Sequence, residues 1–191
     1  MEEMGLRLAA RGVATFRYQF PYMEQGGKRL DPKPILLATV RSAIEVAARS
    51  TPGLTMFAGG KSMGGRMTSH AAAEDPLPGV QGLVFFGFPL HPAGAPSTDR
   101  AEHLSSINDP MLFLQGTRDT LADLTLLTPI CKKLGKRAVL HIVDGADHSF
   151  HVLKSSGRTN GEVLNELSDE VVRWAREIAE SQSRATTSKS G

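Results

Sequence analysis

The sequence predicts an α/β protein, with a mostly parallel sheet and helices on both faces. Three observations point there. Strand-like and helix-like segments alternate along the chain. Two strand-like runs, "VQGLVFFGF" (80–88) and "MLFLQG" (111–116), are almost continuously apolar. A glycine-rich turn, "GGKSMGG" (59–65), joins a strand to a helix. Alternation makes successive strands parallel, because each must cross over through a helix to reach the next. Continuous apolar runs are the pattern of strands covered on both faces.

The elements follow in order. "MEEMGLRLAA" reads as a helix with Met4, Leu6 and Leu8 near one face and Gly12 as its stop. "VATFRYQF" (13–20) has the β-branched and aromatic content of a strand and ends at Pro21. "DPKPILLATVRSAIEVAARS" is a helix, with Asp31 as candidate N-cap, Pro32 at its first position, and an apolar face of Leu36, Val40, Ala43, Ile44 and Ala47. A short strand, "LTMFA" (54–58), leads into the glycine turn and a helix through "MTSHAAAE". After the two apolar strands, a helix over 122–134 precedes the strand "RAVLHIVDG". The last helix carries Leu164, Leu167, Val171, Trp174, Ala175 and Ile178 on one face, with Thr159 and Glu162 as a capping box. Residues 1–180 are expected to form a single domain, and the polar tail 181–191, poor in apolar residues, is expected to be disordered.

Composition narrows the function. The 191 residues are enough for one domain with a sizeable core, and 40% apolar and 22% charged residues are ordinary for a soluble protein. A formal charge of +2 gives no reason to expect nucleic acid as a partner, and the one basic cluster, "KKLGKR" (132–137), reads as a solvated helix end. A single cysteine, Cys131, rules out an intrachain disulfide and suits a reducing compartment. The N-terminus lacks the basic start and apolar core of a signal peptide, and no run approaches the ~18 apolar residues of a membrane helix. The expectation is a soluble cytoplasmic protein with no membrane partner.

In a parallel sheet, ligands gather at the carboxyl ends of the strands, and three loops there carry chemistry. "GKSMG" matches G-x-S-x-G between a strand and a helix. On such a turn Ser62 adopts a strained backbone that Gly60 and Gly64 make room for, and the backbone N–H of Met63 is a candidate oxyanion donor. A flexible glycine loop is the alternative. In "LFLQGTRDT", Asp119 follows a strand and is a candidate acid; an ordinary turn or N-cap aspartate is the alternative, and Asp123 is a rival. In "HIVDGADHSF", His148 follows the last strand and is a candidate base, with His70, His91, His103, His141 and His151 as competitors. Asp144, Asp147, His148 and His151 show no helix-spaced pair and no Cys ligand, so no metal is expected. Nor is a nucleotide cofactor expected, because "GGKSMGG" has neither phosphate-loop nor dinucleotide spacing.

The order Ser62, Asp119, His148, each after a separate strand, is that of a nucleophile, an acid and a base. A serine hydroxyl needs a neutral imidazole to take its proton, and that imidazole needs an acceptor on its other nitrogen.

"GGKSMGGRMTS", "GLVFFGFPLHPAG", "LFLQGTRD" and "GADHSFHVLKSSGRT" resemble the small, lidless α/β-hydrolases related to dienelactone hydrolases. They are most similar to the bacterial relatives of the testis-expressed and NSL-complex-subunit hydrolase-like proteins. The resemblance runs from about residue 4 to 180 and implies an α/β-hydrolase fold, with Ser62, Asp119 and His148 as nucleophile, acid and base. It also implies two or three strands and a "HG"-type oxyanion loop ahead of the first helix, with one strand between "VATFRYQF" and "LTMFA". Their lack here would leave a gap inside the sheet. The expectation is that the start lies upstream by roughly 25–40 residues. The other readings are direct or intersubunit pairing of the flanking strands, or a degenerate, weakly active member.

The expected function is a serine hydrolase acting on an ester, thioester or similar acyl bond of a small molecule. Tyr22, Met23, Lys61, Pro89 and His91 are candidate pocket residues, with loop packing as the alternative. The short connection "PAGAPSTDRAEHLSSIND" leaves little lid and favours a small or exposed substrate. The competing class is a hydrolase-like scaffold that does no chemistry, for which Ser62 would be dispensable. The sequence does not fix the oligomeric state.

Overall fold

The computed structural model describes residues 1–187. Four strands are present among them, β1 (Met56–Lys61), β2 (Val80–Phe86), β3 (Met111–Gly116) and β4 (Ala138–Val143), paired in parallel and in chain order. Registers run from Met56↔Val80 to Lys61↔Phe86, from Leu83↔Met111 to Phe86↔Leu114, and from Met111↔Ala138 to Gly116↔Val143. The helices are α1 (Glu2–Ala9), α2 (Pro21–Glu24), α3 (Lys33–Ser50), α4 (Met63–Glu74), α5 (Leu124–Leu134) and α6 (Asn160–Thr187). A 3-10 helix, Asp99–Ser106, connects β2 to β3.

The period-two alternation of side chains along a strand splits β2 and β3 between two cores. Leu83, Phe85, Met111 and Phe113 pack with Val40 and Ile44 of α3, Met67 and Ala71 of α4 and Leu127 of α5. Val84, Phe86, Leu112 and Leu114 point the other way, to Met4 and Leu8 of α1 and to Val163, Leu167 and Trp174 of α6. Each fully buried Leu or Phe of these strands contributes about 1.5–3 kcal/mol relative to exposure. That double covering is why the two runs read as unbroken apolar sequence.

Several expectations are corrected. Residues 13–20 join no ladder. Val13 to Tyr18 line a groove of about 370 Å³ together with β1 and the residues before it, from Leu54 to Gly60, and with residues of α1 and α3. Strand propensity is realised only against a neighbouring strand, and across this groove neither segment has one. Phe16 and Tyr18 are left exposed, as is Leu54. Strand β1 begins at Met56, two positions after the expected start, and extends through Gly59 and Gly60 to Lys61.

Asp31 does not cap α3. Pro32 is the N-cap of α3, and the Asp31 carboxylate instead accepts the N–H of Tyr22 at 2.9 Å. In α1, Met4 and Leu8 are buried but Leu6 is 67% exposed. α6 continues to Thr187, through the start of the stretch expected to be disordered, and residues 188–191 lie outside the described residues. The capping box at the start of α6 is formed, with Glu162 Oε2 accepting Thr159 N–H at 2.7 Å and Thr159 Oγ1 accepting Glu162 N–H at 3.2 Å. No described helix is long and apolar enough to cross a membrane.

Candidate active site

Ser62 sits between the last residue of β1 and the first of α4, with φ 53° and ψ −122°. A non-glycine residue with such a φ is strained. The turn is held from both sides. Ser62 N–H donates to Phe86 O at 3.0 Å, and Ser62 O accepts Arg66 N–H at 3.1 Å. The close approach behind it involves Gly60 and Gly65, because a Cβ on Gly65 would stand 2.6 Å from Gly60 O. Gly64, expected to relieve that crowding, faces open space. Met63 opens α4, so its N–H belongs to the first turn, whose donors have no acceptor within the helix.

Asp119 and His148 arrive from the ends of β3 and β4. His148 Nε2 lies 2.9 Å from Ser62 Oγ, and His148 Nδ1 lies 2.7 Å from Asp119 Oδ2. The Asp119 side chain is fully buried, and its Oδ1 accepts the N–H of Leu121 at 2.8 Å. A buried carboxylate beside Nδ1 fixes the proton there and leaves Nε2 free to accept from the serine. The His148 loop is shaped by Asp147, whose Oδ1 accepts the N–H groups of Ser149 at 2.8 Å and His151 at 2.9 Å. Burial pushes the Asp147 carboxyl up, but these two bonds, together with the charges of His151 and Arg118, more than offset it and hold it below its ordinary range. Phe150, buried, takes a φ of 63° to close the turn.

Two further residues shape the site without having been singled out in the sequence. Gly87 follows β2 directly with φ +68°, and a Cβ there would press on the His148 ring at 3.3 Å. Gln115, in β3, donates from Nε2 to Asp119 Oδ2. A polar residue inside an apolar strand was the one available signal for Gln115. Gly87 left none, because its role depends on how closely His148 approaches.

The remaining candidates stand as follows. Tyr22 and Met23 lie in α2; Tyr22 is partly buried against the core and stacks on Phe20, and Met23 is 46% exposed. Lys61 is the last residue of β1, next to Ser62. Pro89 is buried. His91 is corrected from a pocket residue to a loop fastener. It is 4% exposed, its Nε2 accepts Asp123 N–H at 2.9 Å, and its Nδ1 then donates to Pro92 O at 2.9 Å. Asp123, the rival acid, is the N-cap of α5 and accepts Thr125 N–H at 2.8 Å. His141 pairs with Glu166 at 2.8 Å, away from Ser62. His70 and His103 stack on each other, with ring centres 3.7 Å apart. Burial, then the charges of Lys33 and Arg66, pushes His70 down to about 4; burial, His70 and the same two cations push His103 down to about 3. Among the described residues no group of three or more His, Cys, Asp or Glu side chains could hold a metal ion.

The fold has close counterparts among solved structures. An alpha-beta serine hydrolase homologue from Coxiella burnetii superposes with a TM-score of 0.68 at 18% identity, over 90% of this chain and 74% of that one. The esterase domain of a Rhodothermus marinus protein gives 0.66 at 16% identity, over 92% and 79%. A lidless a/b serine hydrolase from Xanthomonas campestris gives 0.62 at 21% identity, over 90% and 72%. At these identities the likeness is one of fold. A family model described as alpha/beta hydrolase domain matches residues 1–176. With a model covering most of its length and a parallel sheet that sets a serine, a histidine and an aspartate at its carboxyl edge, the chain belongs to the alpha/beta hydrolase family.

Proposed function

We propose that the protein is a serine hydrolase that cleaves an ester, thioester or related acyl bond of a small molecule through an acyl-enzyme on Ser62. The observation that carries this reading is the continuous line from Ser62 Oγ through both nitrogens of His148 to Asp119, at 2.9 Å and 2.7 Å. Ser62 Oγ attacks the carbonyl carbon as His148 Nε2 takes its proton. The negative oxygen is met by Met63 N–H at the start of α4. Collapse of the intermediate breaks the bond to the leaving group, which receives the proton from His148. Water, deprotonated by His148, then releases the carboxylic acid and restores Ser62. Asp119 stays ionised throughout and stabilises the imidazolium.

The motif resemblance supports placing the protein with the lidless, dienelactone-hydrolase-like branch. The Asp99–Ser106 helix, with Ala101 and Leu104 buried, is too short a connection to cover a long acyl chain. The single cysteine, buried and unpaired, suits a cytoplasmic setting. A scaffold without chemistry is the second reading. It is favoured by the groove beside β1, which leaves the strand leading to Ser62 unsupported on one edge.

Hydrolysis of p-nitrophenyl acetate, with mass spectrometry of the quenched protein, tests the proposal. The expected result is turnover, an acetyl group on the peptide containing Ser62, and loss of both in Ser62→Ala. No acetylation of a folded parent would overturn it in favour of the scaffold.

A further inference from the structure

Gln115 is a polar side chain, 0% exposed, in a strand whose neighbours Phe113 and Leu114 are also fully buried. Alternation places it on the same face of the sheet as Met111 and Phe113. Its Nε2 donates to Asp119 Oδ2, the oxygen that also accepts from His148 Nδ1. Its Oε1 is buried, and no group among the described residues donates to it. A buried amide oxygen without a donor is destabilising, whereas an apolar side chain of similar shape carries no such cost. Core stability therefore gives no reason for glutamine here. The bond to Asp119 does.

We propose that Gln115 is a positioning residue for the acid of the site, a role that rests on the reading of Ser62, His148 and Asp119 given above. Leu121 N–H holds one carboxylate oxygen and Gln115 N–H holds the other. Two donors, one from β3 and one from the turn that precedes α5, stop rotation of the carboxylate and keep Oδ2 aimed at His148. Without the amide, the carboxylate is freer to turn away from His148 Nδ1.

Gln115→Met and Gln115→Leu remove the donor and the unpartnered oxygen together while conserving bulk. The readouts are the thermal midpoint, the second-order rate of fluorophosphonate labelling of Ser62, and the low-field NMR resonance of the proton on His148 Nδ1. Both variants are expected to melt at or above the parent. Their labelling is expected to slow about tenfold, the effect of one lost hydrogen bond to a charged group. The low-field resonance of the proton between His148 Nδ1 and Asp119 is expected to move upfield, because the carboxylate no longer stays aligned with it. An unchanged rate and resonance in a folded variant would overturn the proposal, leaving Gln115 as filler. A lowered midpoint in both variants would overturn it too, by showing that the amide serves stability. A folded parent that does not label would overturn the nucleophile reading itself, and the positioning role with it.

Discussion

Gly87→Ala probes how closely the base is seated. Gly87 has φ +68°, and a Cβ there stands 3.3 Å from both Cε1 and Nδ1 of His148. Two effects follow. The left-handed backbone costs a residue with a Cβ about 1–2 kcal/mol, which for a chain of this size lowers the thermal midpoint by roughly 2–8 °C. The ring must also shift by a few tenths of an ångström, and it is held by contacts of 2.7 Å to Asp119 and 2.9 Å to Ser62. A misplacement of 1 Å costs on the order of 100-fold in rate, so this smaller shift costs roughly three- to tenfold. Gly94→Ala supplies the control. Gly94 has φ +72° with no atom within 4 Å of its Cβ position, so it shares the strain without the contact. Thermal melts and fluorophosphonate labelling of the two variants separate the effects. Both should melt lower, and only Gly87→Ala should label slowly. Equal labelling in the two would refute the packing of Gly87 against His148.

Acid should destabilise the protein through His70 and His103. Both are held neutral in the fold, at about 4 and about 3 against an ordinary 6.5, so the unfolded chain binds more protons below 6.5. Their contribution is complete above pH 6.5 and is lost as the pH falls through 4 and 3; replacing both with Gln should flatten the melting midpoint between pH 7 and 5, and an unflattened slope would contradict this. Thr159→Ala removes the acceptor for Glu162 N–H and should cost about 1 kcal/mol in a denaturant titration; no change would mean that the cap does not support α6.

Much of the fold could be read directly because burial on both faces writes itself into β2 and β3 as apolar runs. The start of α6 was equally legible, since a capping box needs only residues three apart. Residues 13–20 were misread as a strand because their composition suits a ladder, while the ladder itself depends on a neighbour that composition does not report. Leu6 was misplaced for a related reason: one face of α1 is set by where α6 lies. At the site, Ser62, Asp119 and His148 were legible because each chemistry-bearing residue follows a strand, and parallel strands bring such ends to one edge. His91 also follows a strand, yet its Nε2 fastens its loop to the N-cap of α5 and its Nδ1 is engaged by Pro92 O within the loop. Gly87 acts through a close contact with a segment far along the chain, and Gln115 and Gly65 through contacts that depend on how the chain turns back on itself after β3 and β1, none of which composition reports.

Covalent labelling with a fluorophosphonate probe, on the parent and on Ser62→Ala after circular dichroism shows both folded, tests the central proposal most directly. Labelling of the parent on the peptide that contains Ser62, and none in the variant, is the predicted result. A folded parent that stays unlabelled, or a variant that labels as well as the parent, would contradict it.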